Sequence, residues 1–316
     1  MSIEIDRELL WLLAGVLAVL LIATVAGAVL ARRVTSDAGR ATVVNLNARI
    51  QAWWGMCAVF AIALLTGGVG SVLLFAAISF FALREFITLT PTRQGDHRTL
   101  LWSFFLVMPI QYWVVWSDWY GLFAIFIPVF VFLLAPTRTA LAGDTERFLE
   151  RTATIQWVLM ICVYCVSHAP ALLMLEIPGY EDGSVKLLLF LVIVVQSSDV
   201  LQYIWGKLFG RHRVAPHVSP NKTWEGFFGG IATATLIGTG LWWITPFAPW
   251  ESALMSVVIA LMGFAGGLTM SAIKRDHGVK DFGTLIAGHG GVLDRIDSLC
   301  FAAPIFFHLT RYFFGS

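Results

Sequence analysis

The sequence predicts an all-α, polytopic membrane protein with about ten transmembrane helices. Of its 316 residues, 58% are hydrophobic and 13% are charged, and the mean hydropathy is +0.78. Soluble domains carry about 25% charged residues, so the composition excludes a soluble globule. The apolar residues form repeated runs of about 20, which is the length that crosses a ~30 Å hydrocarbon core as a helix. A net charge of +1 gives no reason to expect a nucleic-acid partner.

The apolar runs are separated by charged residues and turn residues. The first run follows acidic residues rather than a basic stretch, and it is too long for a signal-peptide core, so we expect it to remain as a spanning helix. About six spans lie in residues 1–180 and about four in residues 181–316. The ten predicted spans are 9–31, 52–69, 70–89, 99–117, 119–136, 154–176, 187–206, 226–247, 251–270 and 293–314.

The Lys and Arg residues alternate with the predicted spans. If the ten spans alternate in direction, one set of loops holds 18 of the 21 basic residues, and only Arg7, Lys186 and Arg311 fall elsewhere. Positive charge is retained on the cytoplasmic side, so we expect five basic cytoplasmic loops and both termini outside. These loops are 32–51, 84–98, 137–153, 207–225 and 271–295, and the fourth can also be taken to begin at residue 206.

A carboxylate lies inside the seventh predicted span. Gln196, Asp199 and Tyr203 share one helical face, and Asp199 is roughly 10 Å from the predicted cytoplasmic end. An ionised carboxylate at that depth costs several kcal/mol unless it is paired, hydrated or bound to a metal. We therefore expect this face to line a wet cavity, and the alternative is a structural hydrogen bond between helices.

The loop after that span contains the sequence SPNKTWEG at residues 219–226. Pro220 is predicted to fix a turn, and Ser219 or Thr223 can cap the helix that follows. Lys222, together with free backbone amides, would make an anion site at the start of that helix. The alternative is a basic juxtamembrane loop that only orients the protein.

A second polar segment, residues 271–298, combines cations, carboxylates and glycines around His289. Glycine-rich backbone beside cations binds phosphate oxygens, while clustered carboxylates hold Mg²⁺. Both parts of a nucleotide and metal site therefore lie in one segment. Its charged residues are Lys274, Arg275, Lys280 and Arg295 as cations, and Asp276, Asp281, Asp294 and Asp297 as carboxylates.

This segment resembles the signature of the phosphatidate cytidylyltransferase family. The matching residues are Ser271, Lys274, Arg275, Lys280, Asp281, His289, Gly290, Gly291, Asp294, Arg295 and Asp297. The stretch from Asp199 through Tyr203, Gly206 and Gly210 to SPNKTWEG resembles the family's second characteristic region. The resemblance covers the chain from about residue 190 onward, and the first half is similar only in hydropathy.

The resemblance implies transfer of a cytidylyl group from CTP to phosphatidate or a related lipid phosphate, with one or two Mg²⁺ ions. Residues 181–316 would form the catalytic region. The catalytic residues would be Asp281, His289, Asp294 and Asp297, with His289 near the departing pyrophosphate. The metal ligands would be Asp199, Asp281, Asp294 and Asp297. The phosphate-binding residues would be Ser219, Lys222, Thr223, Lys274, Arg275, Lys280, Gly290, Gly291 and Arg295.

Two departures from the family pattern suggest a divergent subgroup. Ala287 stands where the family usually has proline, and Val200, Leu201 and Gln202 replace small residues, so the lipid acceptor could differ. Arg84 and Glu85, at the end of the third span, are expected either to support the site as a pair or to form a simple interfacial ion pair.

The resemblance also implies partners and a location. We expect CTP, a lipid phosphate and membrane lipids as partners, a homodimer, and a bacterial-type cytoplasmic membrane with the active site facing the cytoplasm. One alternative is a CTP-dependent lipid-alcohol kinase, which would move the γ-phosphate instead. A second alternative is a secondary transporter, which the intramembrane Asp199 and the glycines of the eighth and ninth spans would support.

Overall fold

The structure is a computed structural model, and it describes residues 7–180, 183–286, 288 and 290–315. Within these residues the chain forms ten long helices and one small hairpin. The helices are α1 (Arg7–Arg33), α2 (Asp37–Leu65), α3 (Gly67–Leu89), α4 (Gln94–Trp116), α5 (Tyr120–Ala140), α6 (Phe148–Met174), α7 (Ser184–Phe209), α8 (Trp224–Gly240), α9 (Pro249–Asp276) and α10 (Leu293–Phe314). The hairpin strands are β1 (Arg213–Ala215) and β2 (Ser219–Thr223).

Every predicted span corresponds to one of these helices. Among the described residues, eight helices are long and apolar enough to cross a membrane, which confirms an all-α membrane protein. The other two are α8, which has 17 residues, and α10, which carries several charged residues in its first turns. Ten crossings therefore stay a prediction that depends on α8 and α10.

The predicted loop 32–51 is wrong, because most of it is helical. Ser36 caps α2 by accepting a hydrogen bond from the Gly39 amide at 3.3 Å, and Asp37 lies in the first turn, where a negative charge favours helix. The helix then continues for 29 residues, about 44 Å at 1.5 Å per residue. It is thus longer than a bilayer core, and its polar first third extends beyond the apolar stretch.

The predicted turn at Pro220 is also different. Pro220 lies within β2, and the turn precedes it, closed by a hydrogen bond from the Val218 amide to the Ala215 carbonyl at 3.1 Å. Proline lacks an N–H group, but a strand with a free edge does not need that donor. Thr223 caps α8 as predicted, because its hydroxyl accepts the Gly226 amide at 3.1 Å.

The core of the bundle lies where α6, α7 and α10 meet. Val163, Leu188, Phe190 and Phe306 are each 0% exposed, and helices apolar on every side are expected in such a position. The neighbouring α8 packs very closely on α7. A Cβ added at Gly230 would lie 2.7 Å from the Gln202 Cα, so only glycine permits this approach and keeps the hairpin beside the end of α7.

The basic segments predicted to share one side are in contact with one another. Segments 84–98 and 137–153 are joined by ion pairs between Arg93 and Asp144 at 2.7 Å and between Arg151 and Asp96 at 3.3 Å. Segments 207–225 and 271–295 are joined by a 3.2 Å hydrogen bond from Arg275 to the Val218 carbonyl. We call this end of the bundle the basic face.

The remaining cations lie at the opposite end of the helices. Lys186, just inside the start of α7, forms a 2.6 Å ion pair with Glu8 near the start of α1. The Arg311 guanidinium, near the end of α10, lies 3.9 Å from the centre of the Tyr120 ring at the start of α5. In the folded bundle, the basic segments therefore lie at one end of the helices, and Lys186 and Arg311 lie at the other end, as the sequence predicted.

Candidate active site

The site residues gather at the basic face, where α7, the hairpin, α9 and the start of α10 meet. The hairpin is fixed at both ends. Glu225, in the first turn of α8, accepts hydrogen bonds from the backbone amides of Arg211 and His212 at 3.0 and 3.2 Å. Arg275 at the end of α9 binds the turn between the strands. The two polar segments of the sequence thus form one site.

Asp294, in the first turn of α10, is 5% exposed and has a full set of partners. Its Oδ1 accepts a 2.8 Å hydrogen bond from the Lys274 ammonium. Its Oδ2 accepts the backbone amides of Phe282 and Gly291 at 2.8 and 2.9 Å. For Asp294 to bind a metal, these contacts would have to be exchanged, so its predicted role as a ligand stays a prediction.

Asp297 lies one turn further along α10 and faces Asp199 of α7. Asp297 Oδ1 accepts the Ser298 amide at 2.8 Å, and the Ser298 hydroxyl lies 3.5 Å from the same oxygen. That hydroxyl is also a hydrogen-bonding neighbour of Asp199. Two carboxylates that approach each other in a partly buried place repel, and a nearby cation reduces that repulsion.

Lys222 supplies positive charge to this pair. If a Cβ were added at Gly267, it would lie 2.9 Å from the Lys222 Nζ and 4.0 Å from Asp297 Oδ2, so Gly267 leaves room for the ammonium beside the carboxylate. Burial lowers the pKa of Lys222 from its ordinary value, while Asp199 and Asp297 oppose that shift. The two carboxylates therefore favour the charged form of Lys222, whereas burial disfavours it. We call Asp199, Asp297, Lys222 and Ser298 the carboxylate cluster.

The other predicted site residues differ in their exposure to solvent. Lys280 and Asp281 are exposed, and Ser219 is partly buried in β2. Arg295 is partly buried, and its Nε has no hydrogen-bond partner among the described residues. Thr223 uses its hydroxyl as the helix cap. His289, predicted near the pyrophosphate, and Ala287 lie outside the described residues.

The glycines of the second segment make room for carboxylates of the protein. Gly290 has φ +82°, which favours glycine, and a Cβ there would lie 2.7 Å from Asp294 Oδ2. The Gly291 amide already donates to Asp294. Gly290 and Gly291 thus allow the loop to pack closely against the Asp294 carboxylate. Phosphate binding by these two glycines stays a prediction.

The carboxylate cluster suits a divalent metal. No group of three or more acidic, His or Cys side chains placed to hold a metal occurs among the described residues. Magnesium is usually bound by one or two carboxylates together with substrate phosphates and water. Asp199 of α7 and Asp297 of α10 provide two carboxylates. Asp281, which is exposed, lies in segment 271–298 on the side of Gly290 where Asp294 also lies.

The sequence did not predict how three residues build the site: Glu85 was expected to pair with Arg84, and no role was assigned to Ser298 or Glu225. Glu85 does not pair with Arg84; it accepts backbone amides at the start of α10, and no Arg84–Glu85 ion pair occurs within the described part of the chain. Ser298 links the carboxylate cluster, and Glu225 fixes the hairpin. The available signal for Glu85 was an acidic residue at the end of a predicted span, but the amides that it binds, those of residues 292–293, are distant in sequence.

The residues that depart from the family pattern have different surroundings. Val200 is 49% exposed on the outer side of α7, whereas Gln202 faces α8 and donates a 2.7 Å hydrogen bond to Ser198. Gln202 therefore contributes to helix packing, and of the two residues only Val200 lies on a surface open to lipid.

Comparisons with known proteins match most of the chain. A family model described as "Cytidylyltransferase family" matches residues 47–313. The chain is 40% identical over 303 residues to the uncharacterized protein YnbB of Escherichia coli K12, covering 95% of this chain and 97% of that protein. It is 32% identical over 219 residues to a phosphatidate cytidylyltransferase of Bacillus subtilis 168, covering 68% and 77%. It is 37% identical over 172 residues to a phosphatidate cytidylyltransferase of Mycobacterium leprae TN, covering 54% and 53%.

Proposed function

Because this chain belongs to the cytidylyltransferase family and is a nucleotidyltransferase, we propose that it converts CTP and phosphatidate into CDP-diacylglycerol and diphosphate. The reaction would serve phospholipid biosynthesis. The observation that supports this proposal best is the carboxylate cluster. It combines two neighbouring carboxylates with a lysine, and it lies at the basic face, close to the ends of the membrane helices. Such a cluster suits two phosphate-bearing substrates, of which one is a lipid.

The chemistry needs no protein nucleophile. A phosphate oxygen of phosphatidate attacks the α-phosphorus of CTP, and a new P–O bond forms. The bond from the α-phosphorus to the oxygen that bridges the β-phosphate breaks, and diphosphate leaves with that oxygen. Both reactants are anions, so the protein has to bring them together against their repulsion.

The chain's cations perform that task in our proposal. The Lys222 ammonium lies beside Gly267, on the side where Asp297 Oδ2 also lies. The Arg295 Nε has no hydrogen-bond partner among the described residues and would donate to a phosphate oxygen. The exposed Lys280 would bind the outer phosphates of CTP. Asp199 and Asp297, with Asp281, would hold Mg²⁺, which when bound supplies charge stabilisation at the phosphate oxygens. Asp294 and Lys274 would keep the loop in place.

Two other functions were open from the sequence, and membership in the cytidylyltransferase family argues against both. A CTP-dependent lipid-alcohol kinase would release CDP and a phosphorylated lipid. A secondary transporter would place its binding residues near the bilayer midplane, whereas the polar side chains described above cluster at the basic face.

Product identity tests the function directly. We expect purified protein with labelled CTP, Mg²⁺ and phosphatidate to yield a lipid whose mass includes CMP, together with diphosphate. The assay should include a panel of lipid phosphates and lipid alcohols, because Val200 could alter the acceptor. Formation of CDP and a phosphorylated lipid would establish the kinase instead, and absence of metal-dependent turnover with every acceptor would contradict both enzymes.

We further propose that the basic face is cytoplasmic, that both termini are outside, and that the protein lies in a bacterial-type cytoplasmic membrane. Retention of positive charge on the cytoplasmic side supports this orientation, as does the supply of CTP in the cytosol. The lipid would reach the site laterally without leaving the bilayer. The family resemblance supports a homodimer, with residues 181–316 as the catalytic region.

Cysteine labelling tests the orientation. In a variant without the four native cysteines, His217→Cys in the hairpin turn and Ser2→Cys at the amino terminus should react with an impermeant thiol reagent from opposite sides of oriented vesicles. Labelling of both positions from the same side would contradict the odd number of crossings, seven, that the ten-helix topology places between them.

A further inference from the structure

Glu85 connects the first half of the protein to the start of α10. It lies near the end of α3 and is 8% exposed. Its Oε1 accepts the Val292 amide and its Oε2 accepts the Leu293 amide, each at 2.9 Å. The first amides of a helix have no partner within the helix, so an ionised carboxylate here forms strong, charge-assisted hydrogen bonds.

The loop before α10 is shaped around this carboxylate. A Cβ added at Gly283 would lie 2.8 Å from Glu85 Oε1, and one at Gly291 would overlap the carboxylate. The preceding amide, from Gly291, is bound by Asp294. Three consecutive amides, those of residues 291–293, are therefore fixed by two carboxylates, and one of these comes from a distant helix.

We propose that Glu85 is a positioning residue for nucleotidyl transfer. By fixing the first turn of α10, it sets where Asp297 and Arg295 point toward Asp199 and the substrates. A helix is stiff over one turn, so a shift at Val292 and Leu293 moves Asp297 by a similar amount, and small misplacements are costly in catalysis. The inference rests on the proposed function, because it concerns the same site.

Glu85→Gln is the sharpest test because the amide keeps the size of the side chain. One oxygen can still accept a hydrogen bond, but the NH₂ group then faces a backbone donor. We expect kcat/KM for CTP to fall by about tenfold or more, through a lower kcat and a weaker affinity for Mg·CTP, with KM for the lipid phosphate unchanged. The kinetics are measured at a temperature where the folded fraction equals that of the wild type.

Two further variants keep the test interpretable. Glu85→Asp retains the charge but is one methylene shorter, so it should lose less kcat than Glu85→Gln. Glu150→Gln is the matched control, because Glu150 is 59% exposed and pairs with Arg147 away from the site; its kinetics should equal those of the wild type. If Glu85→Gln does not fold, Glu85→Asp carries the comparison.

The outcomes separate this inference from the proposed function. If the wild-type protein makes no cytidylyl lipid, the proposed function is wrong. The inference about Glu85 can then still be tested by measuring Mg·CTP binding without lipid, where Glu85→Gln is expected to bind more weakly than the wild type. If folded Glu85→Gln and Glu85→Asp both keep kcat and Mg·CTP affinity within about twofold of the wild type, Glu85 only stabilises the fold and the inference is wrong.

Discussion

Asp297→Asn is expected to lower kcat by about a hundredfold or more while the protein still folds. The amide keeps the shape of the side chain, so its oxygen can still accept the Ser298 amide. It removes the negative charge that would hold a metal against the CTP phosphates. Such charge matters most as charge moves in the transition state, so the loss should fall mainly on turnover.

Asp276→Asn is the control for that change. Asp276 is the exposed last residue of α9, and the same substitution there should leave kcat unchanged. Steady-state kinetics at several Mg²⁺ concentrations, together with thermal unfolding, provide the comparison. Near wild-type kcat in Asp297→Asn would mean that the carboxylate cluster does not hold the metal.

Asp199→Asn tests the contribution of α7 to the same cluster. Its carboxylate lies ten residues before the end of that helix, about 15 Å at 1.5 Å per residue. If no metal needs this charge, its removal from the membrane should stabilise the protein and leave turnover intact. We expect a large loss of turnover instead. Near wild-type transfer to phosphatidate would confine the site to residues 271–298 and their neighbours.

Lys222→Met has the second large expected effect, because it leaves the carboxylate cluster without its lysine. We expect kcat to fall by about a hundredfold and the thermal unfolding temperature to decrease, since a buried charge that loses its partner is strongly destabilising. Methionine has a similar length and is apolar, so packing is largely retained. Lys207→Met, at the exposed end of α7, is the control and should change neither quantity.

A double variant separates the two effects of losing Lys222. In Lys222→Met with Asp199→Asn, one of the two carboxylates is neutralised, so part of the lost stability should return. Activity should not return, because in the proposed function Lys222 binds phosphate and Asp199 holds the metal. Recovery of activity together with stability would show that Lys222 only balances charge, and that the phosphate-binding role proposed for it is wrong.

Much of the fold follows from the sequence, because membrane helices leave a local signal. Apolar runs and the positions of Arg and Lys locate the helices and the basic face without knowledge of any tertiary contact. Where a boundary depends on a cap, the sequence is less informative. Ser36 and Asp37 begin α2 well before its apolar part, so a hydropathy pattern alone places the helix start too late.

The site was predictable in its composition but not in its connections. Lys222, Asp199 and Asp297 belong to the polar segments, and their residue types indicate phosphate and metal chemistry. Spacing along α10 does not distinguish Asp294, which binds loop amides, from Asp297, which faces α7. The role of Glu85 was harder still to predict. Its carboxylate caps a helix that lies 207 residues further along the chain, and such a distant contact leaves no periodic pattern in the sequence.

That long separation has a consequence for biosynthesis. The ribosome makes α3 long before it makes Val292 and Leu293, so during synthesis the Glu85 carboxylate lacks the two backbone amides that bind it in the folded protein. A chain interrupted before α10 can insert most of its helices but lacks half of its carboxylate cluster. On the proposed function, we expect such an unfinished protein to be inserted in the membrane yet inactive, and to gain activity only when α10 docks.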